Sequence, residues 1–163
     1  MIIIRIAVEI LILAYLIYLS VHDIRTKTVT DKSLLLLLPL AALRITLDIF
    51  SGSWKHLLFL ILGGVFGFCL MLMTAIITHN GIGGGDIKLT GILGCLCGLD
   101  GILILLLAAS FSAAVYGIVS DRLSQEKKVR IPFVPFMTAG YLLSTAASIL
   151  FETVPGGLLP GIT

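Results

Sequence analysis

The sequence predicts an all-α polytopic membrane protein, a bundle of six transmembrane helices with no soluble domain. Of its 163 residues, 58% are apolar and only 12% are charged, and the mean hydropathy is +1.15. Soluble domains carry about 25% charged and about 45–50% apolar residues, so this composition lies outside their class. The apolar residues also fall in long blocks, as expected when each crossing of a bilayer needs about 20 helical residues.

Six apolar segments are candidates for membrane crossings. They run over Ile2–Ser20, Ser33–Ile49, His56–Thr78, Ile87–Leu99, Gly101–Val119 and Pro132–Phe151. The first has the length of a full crossing and lacks a small-x-small cleavage site, which predicts a retained helix rather than a signal peptide. No linker is long enough to isolate a soluble module. Residues 1–153 are therefore predicted to form one membrane domain, followed by a flexible Pro- and Gly-rich tail at 154–163.

The basic residues are distributed unevenly between the two ends of the predicted bundle. Eight of the eleven Lys and Arg residues fall in the loop after the first segment, at the start of the fourth and in the loop after the fifth. The loops at the opposite end are nearly free of basic residues. The positive-inside rule therefore predicts that the basic regions are cytoplasmic and that both termini are outside.

Nucleic-acid binding and metal binding have no support in the sequence. There is no basic tract with interleaved aromatic residues. Cys69, Cys95 and Cys97 lie inside apolar segments and lack the spacing and His partners of a zinc site. They are interpreted as small buried apolar residues, without a disulfide framework.

Glycines recur at helical spacing in two of the segments. Gly63 and Gly67 have small-xxx-small spacing in the third, and Gly91, Gly94 and Gly98 follow one face of the fourth. Such residues let helix backbones approach closely in a membrane. We expect a tight bundle from this pattern, which allows a homodimer without requiring one.

Ionisable residues inside membrane segments are costly and usually face the interior of the bundle or a water-filled cavity. Arg44 and Asp48 have i,i+4 spacing, as do Arg5 and Glu9. Pairing within each helix, Arg44 with Asp48 and Arg5 with Glu9, is a structural explanation that requires no function.

Asp23 and Asp86 differ from these pairs because both are predicted at the cytoplasmic edge of the bilayer. Asp23 follows the first segment, and Asp86 precedes the fourth. Four of the five residues from Gly81 to Gly85 are glycine, which would let water or a substrate backbone approach the Asp86 carboxyl group. A phosphate-binding loop is excluded, since no Gly-Lys-Ser/Thr ending follows. A plain flexible turn would not explain Asp86 and Lys88 at the start of a segment.

Two neighbouring carboxyl groups offer one well-known chemistry. Like charges a few ångströms apart do not both ionise easily, so the pair tends to hold one proton. The ionised member can act as general base on a water molecule while the protonated member polarises a peptide carbonyl. This aspartic-protease chemistry requires no metal, no cofactor and no covalent nucleophile.

The motifs resemble those of the type IV prepilin peptidases. Gly83-Gly84-Gly85-Asp86 matches the Gly-x-Gly-Asp motif of intramembrane aspartyl proteases, and its extension to Lys88 is similar to the prepilin peptidase form. Asp23-Ile24-Arg25 resembles the segment of the first catalytic aspartate in that family. The stretch from Arg130 to Phe136 is similar to the closing motif of the family. The resemblance covers essentially the whole chain, in the expected order.

The resemblance implies an aspartic endopeptidase of the bacterial plasma membrane that cleaves prepilin or pseudopilin precursors on the cytoplasmic side. These enzymes remove a short basic leader, typically after a glycine and next to a hydrophobic helix. Asp23 and Asp86 carry over as the catalytic pair, with Gly83, Gly84, Gly85 and Lys88 as active-site residues.

The sequence departs from the family pattern at two places. The first motif of the family often continues into Ile-Pro, where this chain has Val29-Thr30-Asp31. The long insertion with paired cysteines of the bifunctional members is also missing. We therefore expect a peptidase without N-methyltransferase activity.

Two other classes of membrane protein are alternatives to the peptidase. A small ion-coupled transporter would use membrane carboxylates and broken Gly-rich helices, but usually near the midplane and with inverted repeats. A non-catalytic scaffold of a secretion system would explain the number of segments but not the paired aspartates with their glycines.

Overall fold

The computed structural model describes residues 2–26, 29–51, 54–78, 82–123 and 132–153. These residues form five helices: α1 (Ile2–Thr26), α2 (Asp31–Ser51), α3 (Trp54–Ile77), α4 (Gly84–Leu123) and α5 (Val134–Thr153). The predicted all-α class is confirmed for this part of the chain. The predicted tail at 154–163 lies outside the described residues.

Helix α4 joins the fourth and fifth segments that the sequence predicts, so the described residues do not confirm the predicted count of six helices. The helix is interrupted at Gly98, where φ is 70° and ψ is −174°. A Cβ added at Gly67 would lie 3.0 Å from Ile102 Cγ1 and 3.2 Å from Thr90 Cγ2. Twelve residues of a straight helix rise about 18 Å. The chain therefore folds back at Gly98, with no loop between the two halves of α4.

Helix α3 packs on the first half of α4 through glycines on both sides. A Cβ at Gly63 would lie 2.6 Å from the Gly94 oxygen, and a Cβ at Gly64 would lie 3.1 Å from the Gly91 oxygen. Side chains at these positions would force the two backbones apart. The predicted role of the glycines in close helix packing is confirmed.

Charged, partly buried side chains join α1 and α2. Arg44 binds Asp48 on the same helix, as predicted. The predicted pairing of Arg5 with Glu9 is wrong: Arg5 binds Asp48 at 2.6 Å, and Glu9 binds Arg44 at 3.0 Å. These pairs form between helices because the antiparallel α2 brings an opposite charge to each of the two α1 residues. Glu9 also accepts a hydrogen bond of 2.6 Å from the Tyr141 hydroxyl group of α5.

The outer surface of the bundle is largely apolar. Ile3, Leu35, Ile77 and Phe111 are 71–83% exposed, together with many other Leu, Ile, Val and Phe side chains. Such a surface would be unfavourable in water and suits lipid. By length and composition, Ile3–Thr26, Leu57–Ile77 and Gly84–Val119 could each cross a membrane, and Val134–Leu150 is a shorter apolar helix.

Candidate functional site

Asp23 lies inside α1, one turn before its end, and not in the following loop as the sequence suggests. Its side chain is buried, with 4% of the residue exposed. The backbone N–H of Val134 donates a hydrogen bond of 3.1 Å to Asp23 Oδ2. Val134 is the first residue of α5, so its N–H has no partner within the helix. Asp23 therefore satisfies the first amide of α5 and lies at the positive end of that helix dipole.

Buried hydroxyl groups hold the same two helices together one turn further into the bundle. Ser20 Oγ and Thr138 Oγ1 share a hydrogen bond of 2.7 Å. Whichever hydroxyl accepts this bond has its own proton free for a backbone carbonyl, Ser20 for the Leu16 oxygen at 2.8 Å or Thr138 for the Val134 oxygen at 2.9 Å. This arrangement fixes the register of α1 against α5 and hence the position of Asp23.

Asp86 lies in the first turn of α4. The Asp86 N–H donates to the Gly83 oxygen at 3.0 Å, and the Ile87 N–H donates to the same oxygen at 3.4 Å. Gly83 is thus the N-cap residue, and Gly84 and Gly85 are helical rather than part of an irregular loop. The carboxyl oxygen Oδ1 of Asp86 is buried. The partial positive charge at a helix N-terminus stabilises a carboxylate in this turn.

The three glycines before Asp86 have different surroundings. A Cβ at Gly83 would lie 3.3 Å from Asp86 Oδ2, whereas a Cβ at Gly84 would have no neighbour within 4 Å. A Cβ at Gly85 would lie 2.5 Å from the Val29 oxygen. Because Gly83 has no side chain, there is space beside the Asp86 carboxyl group. Because Gly85 has none, α4 can approach the connection between α1 and α2. The earlier glycine of the motif, Gly81, lies outside the described residues.

Lys88 forms an ion pair at the surface. Its Nζ lies 2.8 Å from Asp31 Oδ1, and the two side chains are 54% and 74% exposed. The pair links the first turns of α2 and α4. An exposed pair of this kind contributes at most about 1 kcal/mol to stability.

Both candidate aspartates lie at the same end of the bundle. Asp23 is near the end of α1, and Val29 in the connection that follows contacts Gly85, next to Asp86. The Cα atoms of α1 and α4 nevertheless stay more than 8 Å apart, so the two carboxyl groups belong to helices that do not pack directly on each other. Within the described residues, no three His, Cys, Asp or Glu side chains form a group that could hold a metal ion.

Sequence reasoning missed the backbone amide of Val134 and the Ser20–Thr138 hydrogen bond. A signal for the amide was present, since Pro132 and Pro135 mark the start of a helix, where amide groups lack helical partners. The packing of α1 on α5 determines which carboxyl group accepts a hydrogen bond from the Val134 amide. Arg130 and Ile131 of the closing motif lie outside the described residues.

Comparison with known proteins agrees with these motifs. The model of the type IV leader peptidase family matches residues 10–118. A Bacillus subtilis protein named prepilin leader peptidase/N-methyltransferase is 35% identical over 141 residues, which cover 81% of this chain and 52% of that protein. An Escherichia coli protein of the same name is 31% identical over 135 residues, covering 80% of this chain and 58% of that protein.

The chain thus spans only a little over half the length of these two relatives. No solved structure matches it. The match to the family model extends from α1 through most of α4 and includes both candidate aspartates. The chain belongs to the type IV leader peptidase family.

Proposed function

We propose that this chain is a membrane-embedded aspartic endopeptidase that removes the leader peptide from prepilin-like precursors, with Asp23 and Asp86 as the catalytic pair. Family membership supports the peptidase activity. The observation that carries the choice of residues is the contact between Gly85, next to Asp86, and Val29, which follows the helix of Asp23.

In this mechanism the two carboxyl groups have different proton-transfer roles. One, ionised, takes a proton from a water molecule that attacks the scissile carbonyl, and the other, protonated, donates a hydrogen bond to the carbonyl oxygen and then a proton to the leaving amine. Asp23, which is held by the Val134 amide, has a fixed position. Gly83 leaves room beside Asp86 for water or a substrate backbone.

The first test replaces each aspartate by asparagine in the full chain. A precursor with a basic leader, a glycine at the cleavage site and a hydrophobic helix is incubated in membranes with each variant. We expect Asp23→Asn and Asp86→Asn each to abolish cleavage, because each carboxyl group has a separate proton-transfer role. An asparagine side chain at position 23 keeps an oxygen that can accept the Val134 N–H bond, so the Asp23→Asn variant should fold.

Asp100→Asn is the matched control. Asp100 is exposed and lies next to the bend at Gly98, at the other end of the bundle. This variant should cleave like wild type. Wild-type turnover by Asp86→Asn would refute the mechanism, and failure of a folded wild type to cleave several such precursors would refute the peptidase.

The proposed orientation has both termini outside, the Asp23–Asp86 end in the cytoplasm and the two halves of α4 as separate crossings, six in all. The asymmetry of basic residues supports this orientation. Cysteine labelling from each side of a bacterial plasma membrane tests it: a thiol at position 100 should react with an impermeant reagent from outside only.

The proposed activity is limited to peptide cleavage, although both relatives are also named as N-methyltransferases. The 163 residues themselves contain no long insertion with paired cysteines. Mass spectrometry of the product should show an unmodified new N-terminus when the purified chain acts with a methyl donor present. An N-methylated product would overturn this part of the proposal.

A further inference from the structure

The segment that joins α1 to α2 contacts the start of α4 on both sides of Asp86. A Cβ added at Gly85 would lie 2.5 Å from the Val29 oxygen and 2.7 Å from Val29 Cβ, so the two backbones touch just before Asp86. Just after Asp86, the Nζ atom of Lys88 lies 2.8 Å from Asp31 Oδ1. Asp86 therefore lies between two contacts with the same short segment.

This segment is also attached to α1. The Tyr15 hydroxyl group of α1 donates a hydrogen bond of 2.7 Å to the Ser33 oxygen. The Ser33 N–H donates to the Thr30 oxygen at 3.0 Å, and the hydroxyl groups of Thr30 and Ser33 are 2.9 Å apart, so Thr30 is the N-cap residue of α2. Asp31 is thus held in an ordered first turn that is bound to α1 about two turns before Asp23.

The link matters because α1 and α4 do not pack directly on each other. The amide partner of Asp23 belongs to α5, and a Cβ at Gly140 of α5 would lie 2.5 Å from the Leu105 oxygen. That contact leads to the half of α4 beyond the bend. The segment that joins α1 to α2 leads instead to the turn that carries Asp86.

We infer that Asp31 and Lys88 are positioning residues of the peptidase: their ion pair joins the first turns of α2 and α4 and holds Asp86 at its working distance from Asp23. This inference rests on the proposed function. Two groups that transfer protons to one substrate must keep a fixed geometry, and small displacements slow the reaction. Asp31 belongs to the stretch in which this sequence departs from the family motif.

The size of the expected effect follows from the exposure of the pair. The two side chains are 54% and 74% exposed, and such a pair contributes at most about 1 kcal/mol, a factor of about five in a rate or an equilibrium. Loss of the pair should therefore lower kcat by about two- to fivefold and leave KM nearly unchanged, because neither residue is assigned a contact with the precursor.

A double-mutant cycle tests this inference. Lys88→Met, Asp31→Ala and the double variant are compared with wild type in membranes, on one precursor. The double variant should be no slower than either single variant, since all three lack the same contact. Lys32→Met is the matched control: it removes an exposed cation next to Asp31 and should keep the wild-type kcat.

Reversal of the two charges distinguishes the ion pair from a direct action of Lys88 on the precursor. Asp31→Lys alone and Lys88→Asp alone place like charges opposite each other, so each should lower kcat. Together they restore an ion pair and should recover at least twofold in kcat over either single variant. A direct action of the Lys88 ammonium group would be lost in Lys88→Asp whatever residue occupies position 31.

A distance measurement gives a readout that does not depend on cleavage. Spin labels are attached at Ile24→Cys, an exposed position beside Asp23, and at Gly84→Cys, where a Cβ has open space. The three native cysteines are replaced by alanine. Double electron–electron resonance should show a broader distance distribution in Lys88→Met than in wild type, and the wild-type width in Lys32→Met.

The outcomes separate the ion pair from the peptidase. Additive losses in the double variant, a loss in KM rather than in kcat, or no recovery on charge reversal would overturn the inference. Equal distance distributions in wild type and Lys88→Met would overturn it as well. Cleavage that is unaffected by loss of the pair would overturn it and leave the peptidase standing. Absence of cleavage by a folded wild type would overturn the proposed function and the inference together.

Discussion

At the residue scale, the two candidate carboxyl groups share the environment of a helix N-terminus but reach it differently. Asp86 is in the first turn of its own helix, whereas Asp23 reaches the first amide of α5 from the far end of α1. The sequence neighbours of Asp86 therefore determine its surroundings, and those of Asp23 come from a residue more than one hundred positions away. Substitutions in α5 should thus affect Asp23 more than Asp86.

At the same scale, the two glycines directly before Asp86 should differ in how much a substitution by alanine changes stability. In Gly85→Ala, the new methyl group would lie 2.5 Å from the Val29 oxygen, so we expect a loss of on the order of 1–3 kcal/mol, as in other overpacked sites. Gly84→Ala has open space and should be neutral or slightly stabilising, because alanine favours helix over glycine. Thermal unfolding in detergent measures both, and equal melting temperatures would contradict the prediction.

At the scale of the element, α4 is defined by its interruption at Gly98. A backbone with φ of 70° and ψ of −174° is accessible essentially to glycine alone. Phe59 and Leu60 of α3 lie within 4 Å of the position of a Cβ at Gly98, so the bend is also enclosed. Both the backbone angles and the packing require glycine here.

Gly98→Ala should therefore lower the free energy of unfolding by on the order of 1–3 kcal/mol. Gly91→Ala is its control within the same helix, because a Cβ there meets Phe68 at an ordinary contact distance of 3.4 Å. Thermal unfolding in detergent compares the two variants. A melting temperature for Gly98→Ala at or above that of Gly91→Ala would show that the bend does not depend on this residue.

At the scale of the whole molecule, charged and polar contacts connect three helices at the end of the bundle opposite the candidate site. Arg5, Glu9, Arg44 and Asp48 connect α1 with α2, and Tyr141 adds α5. Asp48 is the most buried of the four charged residues, with 5% of its side chain exposed. These opposite charges satisfy one another, as ionisable groups at membrane depth require.

Arg44→Met should be among the most destabilising substitutions in the chain, because it removes a cation shared by Glu9 and Asp48. Breaking a buried pair from one side costs on the order of 3 kcal/mol or more, and this partly buried cluster, in which Asp48 keeps Arg5, should lose less than that but more than an exposed pair does. Lys88→Met removes one partner of the exposed pair with Asp31 and should cost less than about 1 kcal/mol. Unfolding of both variants in the same detergent tests this, and similar losses would contradict it.

Prediction from sequence was most successful where the chemistry is local. The membrane class follows from composition, and the motif from Gly83 to Asp86 is contiguous, so neither needs tertiary contacts. The Arg44–Asp48 pair was predicted for the same reason, since i,i+4 spacing brings the two side chains together. The pairing of Arg5 with Glu9 was wrong because partners on α2 compete with the local one, and spacing along one helix does not reveal them.

Sequence alone thus determined the all-α membrane class, the family and the two aspartates to examine, because composition and contiguous motifs are properties of the chain itself. The tertiary structure decided what lies between distant segments: the fold-back of α4 at Gly98, the Val134 amide on Asp23 and the Asp31–Lys88 pair between α2 and α4. These features depend on which helices pack together and in what register. That is set by close contacts between residues far apart in sequence, which no local pattern encodes.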